Sequence, residues 1–408
     1  MTELISNVGS TAGNRPSRDR FLVFGEPLIA EEEIAEVVDT LRSGWIGTGP
    51  KVQRLEDMFR EYTGSAHALA VSSCTAGLHL ALGVLDIGPG DEVITSPMTF
   101  AATANVIVHT GATPVFADVD RETMNIDVAE VERRITPRTK AVIAVHMAGR
   151  PCANDELRAL TRSHGIPLIA DAAHAVEARY HGEHVSRHAD IAVFSFYATK
   201  NMTTAEGGMV TTDNPEWAEQ IALRRLHGLS KDAWKRYSSE GFQLYETVYP
   251  GYKYNLTDLQ AALGLNQFAR LEERWLLRDR HCSAYRERFE GLEGLLLPPE
   301  DPDPTNRHGR HLFVVLLDLE ELDLDRGEFI DGLHRENIGA GVHFVPVHLH
   351  QYYRQTRGYR PGEFPAAEWI GERTVSLPLS AKLTAEDVED VVHAVRKVLR
   401  RGRAGQRK

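Results

Sequence analysis

The chain is short of three things, and each shortage removes a class of protein. It holds only three cysteines, Cys74, Cys152 and Cys282, with no CxxC pair. A disulfide framework and a structural zinc site are therefore not expected. No apolar run approaches the ~18 residues that a membrane-spanning helix needs. Residues 1–20, MTELISNVGSTAGNRPSRDR, lack the apolar stretch of a signal peptide. The expectation is a disordered leader over 1–20 on a cytoplasmic protein. Positive charge is scarce as well: 46 Lys and Arg stand against 58 Asp and Glu, a formal net charge of −12. Such a surface repels phosphate backbones and anionic membranes, so neither nucleic acid nor membrane is expected as a partner. The one basic cluster, Arg396 to Lys408, reads as a solvated tail, with residues 400–408 beyond the last domain.

What is present is an ordinary globular composition, 42% hydrophobic and 25% charged over 408 residues, enough for one large α/β domain and a smaller partner. Ile34, Val37, Val38 and Leu41 share one face of a helix that Gly44 ends, and Val52, Leu55, Met58 and Phe59 mark the next. Short apolar runs then alternate with helical stretches: strands near 68–72, 92–95, 114–118, 141–145, 167–170 and 191–196. Runs that rarely alternate suit parallel strands buried on both faces. A long helical region from Leu256 to about Glu290 leads to the polar, proline-rich PPEDPDPTNRHG. Beyond it come a strand over 311–318, a helix over 326–336, a strand near 341–346 and a last helix from Ala385 to about Leu399. That last helix opens with Thr384 and Asp387 in capping-box spacing and lines up Val388, Val391, Val392 and Val395. The expected layout is a large α/β domain with a mostly parallel central sheet over 21–264, and a smaller α+β domain over 265–399.

In an open parallel sheet, ligands bind at the carboxyl ends of the strands, and four such places hold suggestive residues. SSCTAG, at 72–77, puts small polar residues between a strand and a helix, where free amides and Thr75 could hold a phosphate. Asp171 follows a buried strand, where an unpaired carboxylate is costly; a pyridinium nitrogen would supply the cation. His174 lies three residues on. In AVFSFYATKNMTTAEGG a strand runs into Ser195 and then Lys200, whose amine, if desolvated, attacks carbonyls readily. In MTF, Phe100 could stack on a planar ring. Each also has a plainer reading: a helix cap, an ion-paired aspartate, a surface lysine, a core aromatic. Together they describe pyridoxal 5′-phosphate.

These stretches, with SGWIGTGP, GATPVFADVD and PGYKYNLTDLQAALGLNQ, resemble the DegT/DnrJ/StrS family of nucleotide-sugar aminotransferases, over residues 21–399. Within it the likeness is nearest to the UDP-4-amino-4-deoxy-L-arabinose aminotransferases. The resemblance implies a fold-type-I PLP-dependent transferase. It makes Lys200 the Schiff-base lysine, Asp171 the partner of the pyridine nitrogen and His174 a neighbour of the ring hydroxyl. Thr75, Ala76 and Ser195 would contact the phosphate, and Phe100 would stack on the ring. Lys253 and Asn255 would complete a neighbouring subunit's site, which makes the protein a homodimer with shared active sites. His343 would lie near the substrate. L-glutamate and a UDP- or dTDP-linked 4-keto sugar are the implied substrates; a 3-keto sugar or keto-cyclitol, or a non-catalytic regulator on this fold, are the alternatives. Tyr197 and Cys74 depart from the usual family pattern, and neither is expected to touch the reactive groups. PLSAKL, at 378–383, lacks a frequent second proline. His181, His184 and His188 read as solvated loop histidines, and His343, His348 and His350 form no recognised ligand set, so no metal is expected. GTGPK lacks the rest of a nucleotide loop and reads as a substrate loop.

Overall fold

The computed structural model describes residues 16–229 and 246–403. Most of the expected leader, and residues 404–408 of the expected tail, lie outside them.

The short apolar runs form one seven-stranded sheet because both of its faces are covered by helices. Its members are β1 (His67–Val71), β2 (Glu92–Thr95), β3 (Thr113–Phe116), β4 (Thr139–Val145), β5 (Leu168–Asp171), β8 (Ile191–Ser195) and β9 (Gly208–Thr212). A two-residue hairpin, β6 (Arg179–Tyr180) and β7 (Glu183–His184), lies between the fifth and sixth of these. The spatial order is β1-β9-β8-β5-β4-β2-β3. Strands β3, β2, β4, β5 and β8 run parallel, whereas β9 is antiparallel to both β8 and β1. The apolar pattern does not predict β9. Its first residue must be glycine, because a Cβ on Gly208 would come within 2.6 Å of the Phe194 carbonyl and 2.8 Å of the Cys74 amide.

Around the sheet stand α1 (Glu31–Ser43), α2 (Pro50–Thr63), α3 (Cys74–Val84), α4 (Ala101–His109), α5 (Val128–Arg134), α6 (Asn154–Ser163), α7 (Pro215–Arg224) and α8 (Asp258–Ala269). Helix α9 (Leu271–Phe289) joins two cores: Leu271 packs beneath the large sheet, while Cys282, Tyr285 and Phe289 belong to a second cluster. That cluster covers a three-stranded antiparallel sheet of β10 (Leu295–Leu296), β11 (Phe313–Leu317) and β12 (Thr374–Leu377). It is closed by α10 (Arg326–Arg335) and α13 (Ala385–Arg403), with α11 (Gln351–Arg357) and α12 (Pro365–Arg373) beside it. The capping box at Thr384 and Asp387 forms, and Val388, Val391, Val392 and Val395 are all buried. A further cluster joins the two sheets, packing Met98, Phe116 and Met147 on Leu312, Leu316 and Ile370.

Four expectations change. Helix α1 is turned by about one residue from the expected face: Ile34 and Leu41 are about half exposed (47% and 54%), Val37 and Val38 are partly buried, and Glu33 and Thr40 are fully enclosed. The reason is electrostatic, because Glu33 reaches Arg270 and Arg274 of the α8–α9 corner. Residues 341–346 form no strand. A single bridge joins Gly341 to Ser376, and beyond it His343 is tied to β12 only through side chains, its Nδ1 2.8 Å from Ser376 Oγ and its carbonyl accepting from Thr374 Oγ1 at 3.1 Å. Helix α13 continues through Arg403, so residues 400–403 are helix rather than tail. Within the expected leader, Ser17 bonds Glu336 and Arg18 pairs with Asp387 and Asp390 on the small domain.

Candidate active site

The topology gathers its chemistry at one edge of the large sheet. Strands β2, β4, β5 and β8 end there, and Ser195 and Val71 both lie opposite Gly208, so β1 delivers the start of α3 to the same edge. A cavity of about 430 Å³ opens at this edge, and the small domain walls its other side with His311, His343 and Phe344.

Asp171, the last residue of β5, is 5% exposed. One oxygen accepts the Thr103 hydroxyl at 2.7 Å and the other accepts the Ala173 amide at 3.2 Å. Thr103 is itself held by Thr99 at 2.7 Å. No arginine, lysine or histidine nitrogen pairs with Asp171 among the described residues, and burial pushes its pKa up against these weaker partners. Lys200 reaches into the same cavity from the turn after β8, its amide bonded to the Tyr197 carbonyl at 2.9 Å. Desolvation lowers its ammonium pKa to about 8, partly offset by Cys74 and Asp171. The free amine is therefore accessible near neutral pH.

Helix α3 begins with Ser73 as N-cap, its hydroxyl accepting the Ala76 amide at 3.0 Å. The amides of Cys74 and Thr75 make no other bond among the described residues, and Thr75 and Ser195 line the cavity. This first turn, with Gly208 keeping Cβ bulk away from it, forms an anion cradle at the positive end of a helix dipole.

Three imidazoles face the cavity and all are held neutral. Burial depresses His174 and His311 well below the ordinary histidine value, and His343 to about 4, with Lys200 adding to each. The His174 and His311 rings lie 4.4 Å apart, and His174 Nδ1 has no partner among the described residues. Among the described residues no arginine lines the cavity.

Of the expected site residues, Lys200, Asp171, His174, Thr75, Ser195, Phe100 and His343 line this cavity. Phe100 stands at its rim, 65% exposed and 6.3 Å from the Phe344 ring. Ala76 does not line it: the residue is buried and its amide is already taken by Ser73. Lys253 and Asn255 are also outside it; Asn255 bonds Thr48 at 2.6 Å in the loop preceding α2. Tyr197 lines the cavity and is half exposed. Cys74, expected to stay clear of the reactive groups, lies 3.8 Å from Asp171, because the first residue of α3 faces the end of β5. His184 and His188 are not solvated. They are 2% and 7% exposed, bonded to the carbonyls of Val176 and Tyr180, because the hairpin folds onto the sheet's aromatic layer. Sequence reasoning missed Ser73, Thr103, Asn201 and His311. Thr99, the middle residue of MTF, stands four residues before Thr103 across the start of α4, a spacing that could have flagged the first hydroxyl partner of Asp171.

The match to known proteins fits this geometry. The pattern of the DegT/DnrJ/EryC1/StrS aminotransferase family covers residues 27–396. The chain belongs to that family. SpsC of Bacillus subtilis, a spore coat polysaccharide biosynthesis protein, is 49% identical over 94% of this chain and 98% of its own. Among solved structures, Spr1654 from Streptococcus pneumoniae in its PMP form is 36% identical with a TM-score of 0.86, covering 93% of this chain and 99% of that one. DesI, solved in the presence of its TDP-sugar product, is 31% identical with a TM-score of 0.85 and covers 97% of both chains. As a member of the DegT/DnrJ/EryC1/StrS family the protein is a sugar aminotransferase that uses pyridoxal 5′-phosphate. The cavity fits that cofactor on its own observations: a buried carboxylate without a cation, a lysine made nucleophilic by burial, and a helix-start cradle that a Cβ at position 208 would fill.

Proposed function

We propose that the protein moves an amino group from L-glutamate to the carbonyl carbon of a nucleotide-linked keto sugar, a 4-keto sugar on UDP or dTDP, and that it does so as a homodimer. The observation that carries this reading is the pairing, in one cavity, of a cation-free buried Asp171 with a Lys200 whose pKa is brought to about 8. When bound, the cofactor supplies an electron sink for charge developing at the substrate carbon. Asp171 keeps the ring nitrogen protonated. Thr75, Ser195 and the first amides of α3 would hold the cofactor's phosphate, and His174 and Phe100, which line the same cavity, would hold its ring. Lys200 Nζ would hold the cofactor's carbonyl carbon, and as a free amine it would move the proton to and from the substrate carbon. A wall that carries the neutral imidazoles of His174, His311 and His343 suits a hydroxylated sugar. Lys253, Asn255 and the loop at 43–50 lie outside their own chain's cavity, which supports their serving the neighbouring subunit. Ala76 is left out of the phosphate site for the reason given above.

The test is a panel of UDP- and dTDP-linked 4-keto and 3-keto sugars with glutamate, with products identified by mass and NMR. An amino sugar from a 4-keto acceptor is the expected result. Amination only of 3-keto sugars or cyclitols would move the protein to another branch, and a colourless, inactive protein would sink the reading.

A further inference from the structure

His311 stands in the cavity wall, and a buried polar chain fixes which of its nitrogens carries the proton. The side-chain amide of Asn201, next to Lys200, donates to Glu177 Oε2 at 2.6 Å and to the Gly309 carbonyl at 2.7 Å. Both of those atoms accept, so the Asn201 NH₂ must face them and its Oδ1 must face the other way. Oδ1 lies 2.9 Å from His311 Nδ1, and a carbonyl oxygen can only accept there. His311 therefore carries its proton on Nδ1. The orientation has deep support: Glu177 is fully buried and ion-paired with Arg278, which is 3% exposed, and Arg278 also donates to the Arg310 carbonyl at 3.1 Å. The other ring nitrogen, Nε2, has no partner among the described residues, and the residue lines the cavity beside His174.

Resting on the sugar-acceptor reading above, we infer that His311 Nε2 is a fixed hydrogen-bond acceptor for a hydroxyl of the sugar, with Asn201 and Glu177 as the positioning residues that hold its tautomer. A neutral acceptor lone pair recognises a hydroxyl donor and does nothing for a carboxylate. Burial, with His174 and Lys200 nearby, keeps this ring uncharged at neutral pH. The role thus separates the two substrates, favouring the sugar over the amino acid donor.

Two substitutions divide the ring's functions. His311→Asn keeps an amide N–H for Asn201 Oδ1 but removes the group at Nε2; His311→Gln places an amide at Nε2 and gives up the link to Asn201. Using the best keto-sugar acceptor of the wild-type holoenzyme, His311→Asn should raise the KM for the sugar about tenfold, the scale of one lost hydrogen bond. The KM for the amino donor should move less than threefold, and His311→Gln should recover most of the sugar affinity. Nitrogen-15 NMR of histidine-labelled full-length protein, assigned by the signal missing in His311→Asn, should show the Nδ1–H tautomer with or without cofactor. A wild-type sugar KM in His311→Asn, equal damage to both substrates, or an Nε2–H tautomer would overturn the inference. A wild type that aminates no sugar nucleotide would instead sink the function itself, while the tautomer measurement would still judge the geometry.

Discussion

Two buried carboxylates in this chain, one enclosed at the α1 corner and one in the cavity wall, live under opposite conditions. Glu33, in α1, accepts from Arg270 and Arg274 at 2.9 Å each and from Gln267 at 3.1 Å. Asp171, at the end of β5, has a threonine hydroxyl, a backbone amide and a distant thiol. A buried charge is normally neutralised by a partner, as Glu33 is. At Asp171 the protein supplies hydrogen bonds but no direct ion pair: Lys200 acts on it only through longer-range attraction, and burial still holds its pKa up. One carboxylate holds the fold together, and the other waits for a ligand.

The contrast predicts that changes at the cavity cost activity and changes at the α1 corner cost stability. The largest effect belongs to Lys200→Ala, which should lower turnover by more than about 10⁴-fold, the upper range for a positioned acid–base group. Its unfolding midpoint without cofactor should not fall. Near-wild-type rates would remove Lys200 from the chemistry. Asp171→Asn should follow, with kcat down by about 10²–10⁴-fold because the amide cannot hold a proton on the ring nitrogen. The cofactor-free variant should be at least as stable as wild type, since a desolvated carboxylate has been removed. A strongly destabilised, fully active Asp171→Asn would reverse the contrast.

At the other site, Glu33→Gln should leave Arg274, 4% exposed, buried without a carboxylate. Removing one member of a buried pair costs about 3–5 kcal/mol, read as a lower denaturation midpoint. The kcat of the folded fraction should stay within a factor of two or so of wild type. An unchanged midpoint would show that the corner tolerates an unpaired guanidinium and would blunt the comparison.

The same contrast explains what could be read from the sequence. Strand runs such as 92–95 and 191–196 were legible because burial on both faces demands continuous apolar residues, and the residues just after them supplied Asp171, His174, Ser195 and Lys200. Helix α13 was legible for a related reason: its valine stripe and capping box agree with each other. Helix α1 was misread because its period identified an apolar face, while an ion pair to residues more than 230 positions away decided which face turned inward. His311 and Asn201 were invisible for the same kind of reason. Their roles come from a hydrogen-bond chain between distant segments, and no local pattern in RHLFVV or TKN encodes it. Ala76 is a phosphate contact only by family resemblance, and here the Ser73 cap takes its amide.

The smallest predicted effect isolates Lys200 from the rest of the cavity by pH. In the cofactor-free fold its pKa falls from 10.5 to about 8 through burial. Between those values the folded protein has released the proton while the unfolded chain still holds it. The unfolded state then binds more protons, so this group makes stability rise with pH across that window. Below about pH 8 both states are charged and the desolvation penalty is felt in full. Lys200→Met has no such term, so its stability relative to wild type should be greatest near pH 7 and shrink steadily toward pH 10.5. Urea denaturation of both cofactor-free proteins at several pH values measures that difference. Its slope carries the information, because the packing change from Lys to Met adds only a constant offset. Parallel curves would mean that the cavity leaves the Lys200 ammonium solvated, and the amine would then have to be activated by the bound cofactor alone.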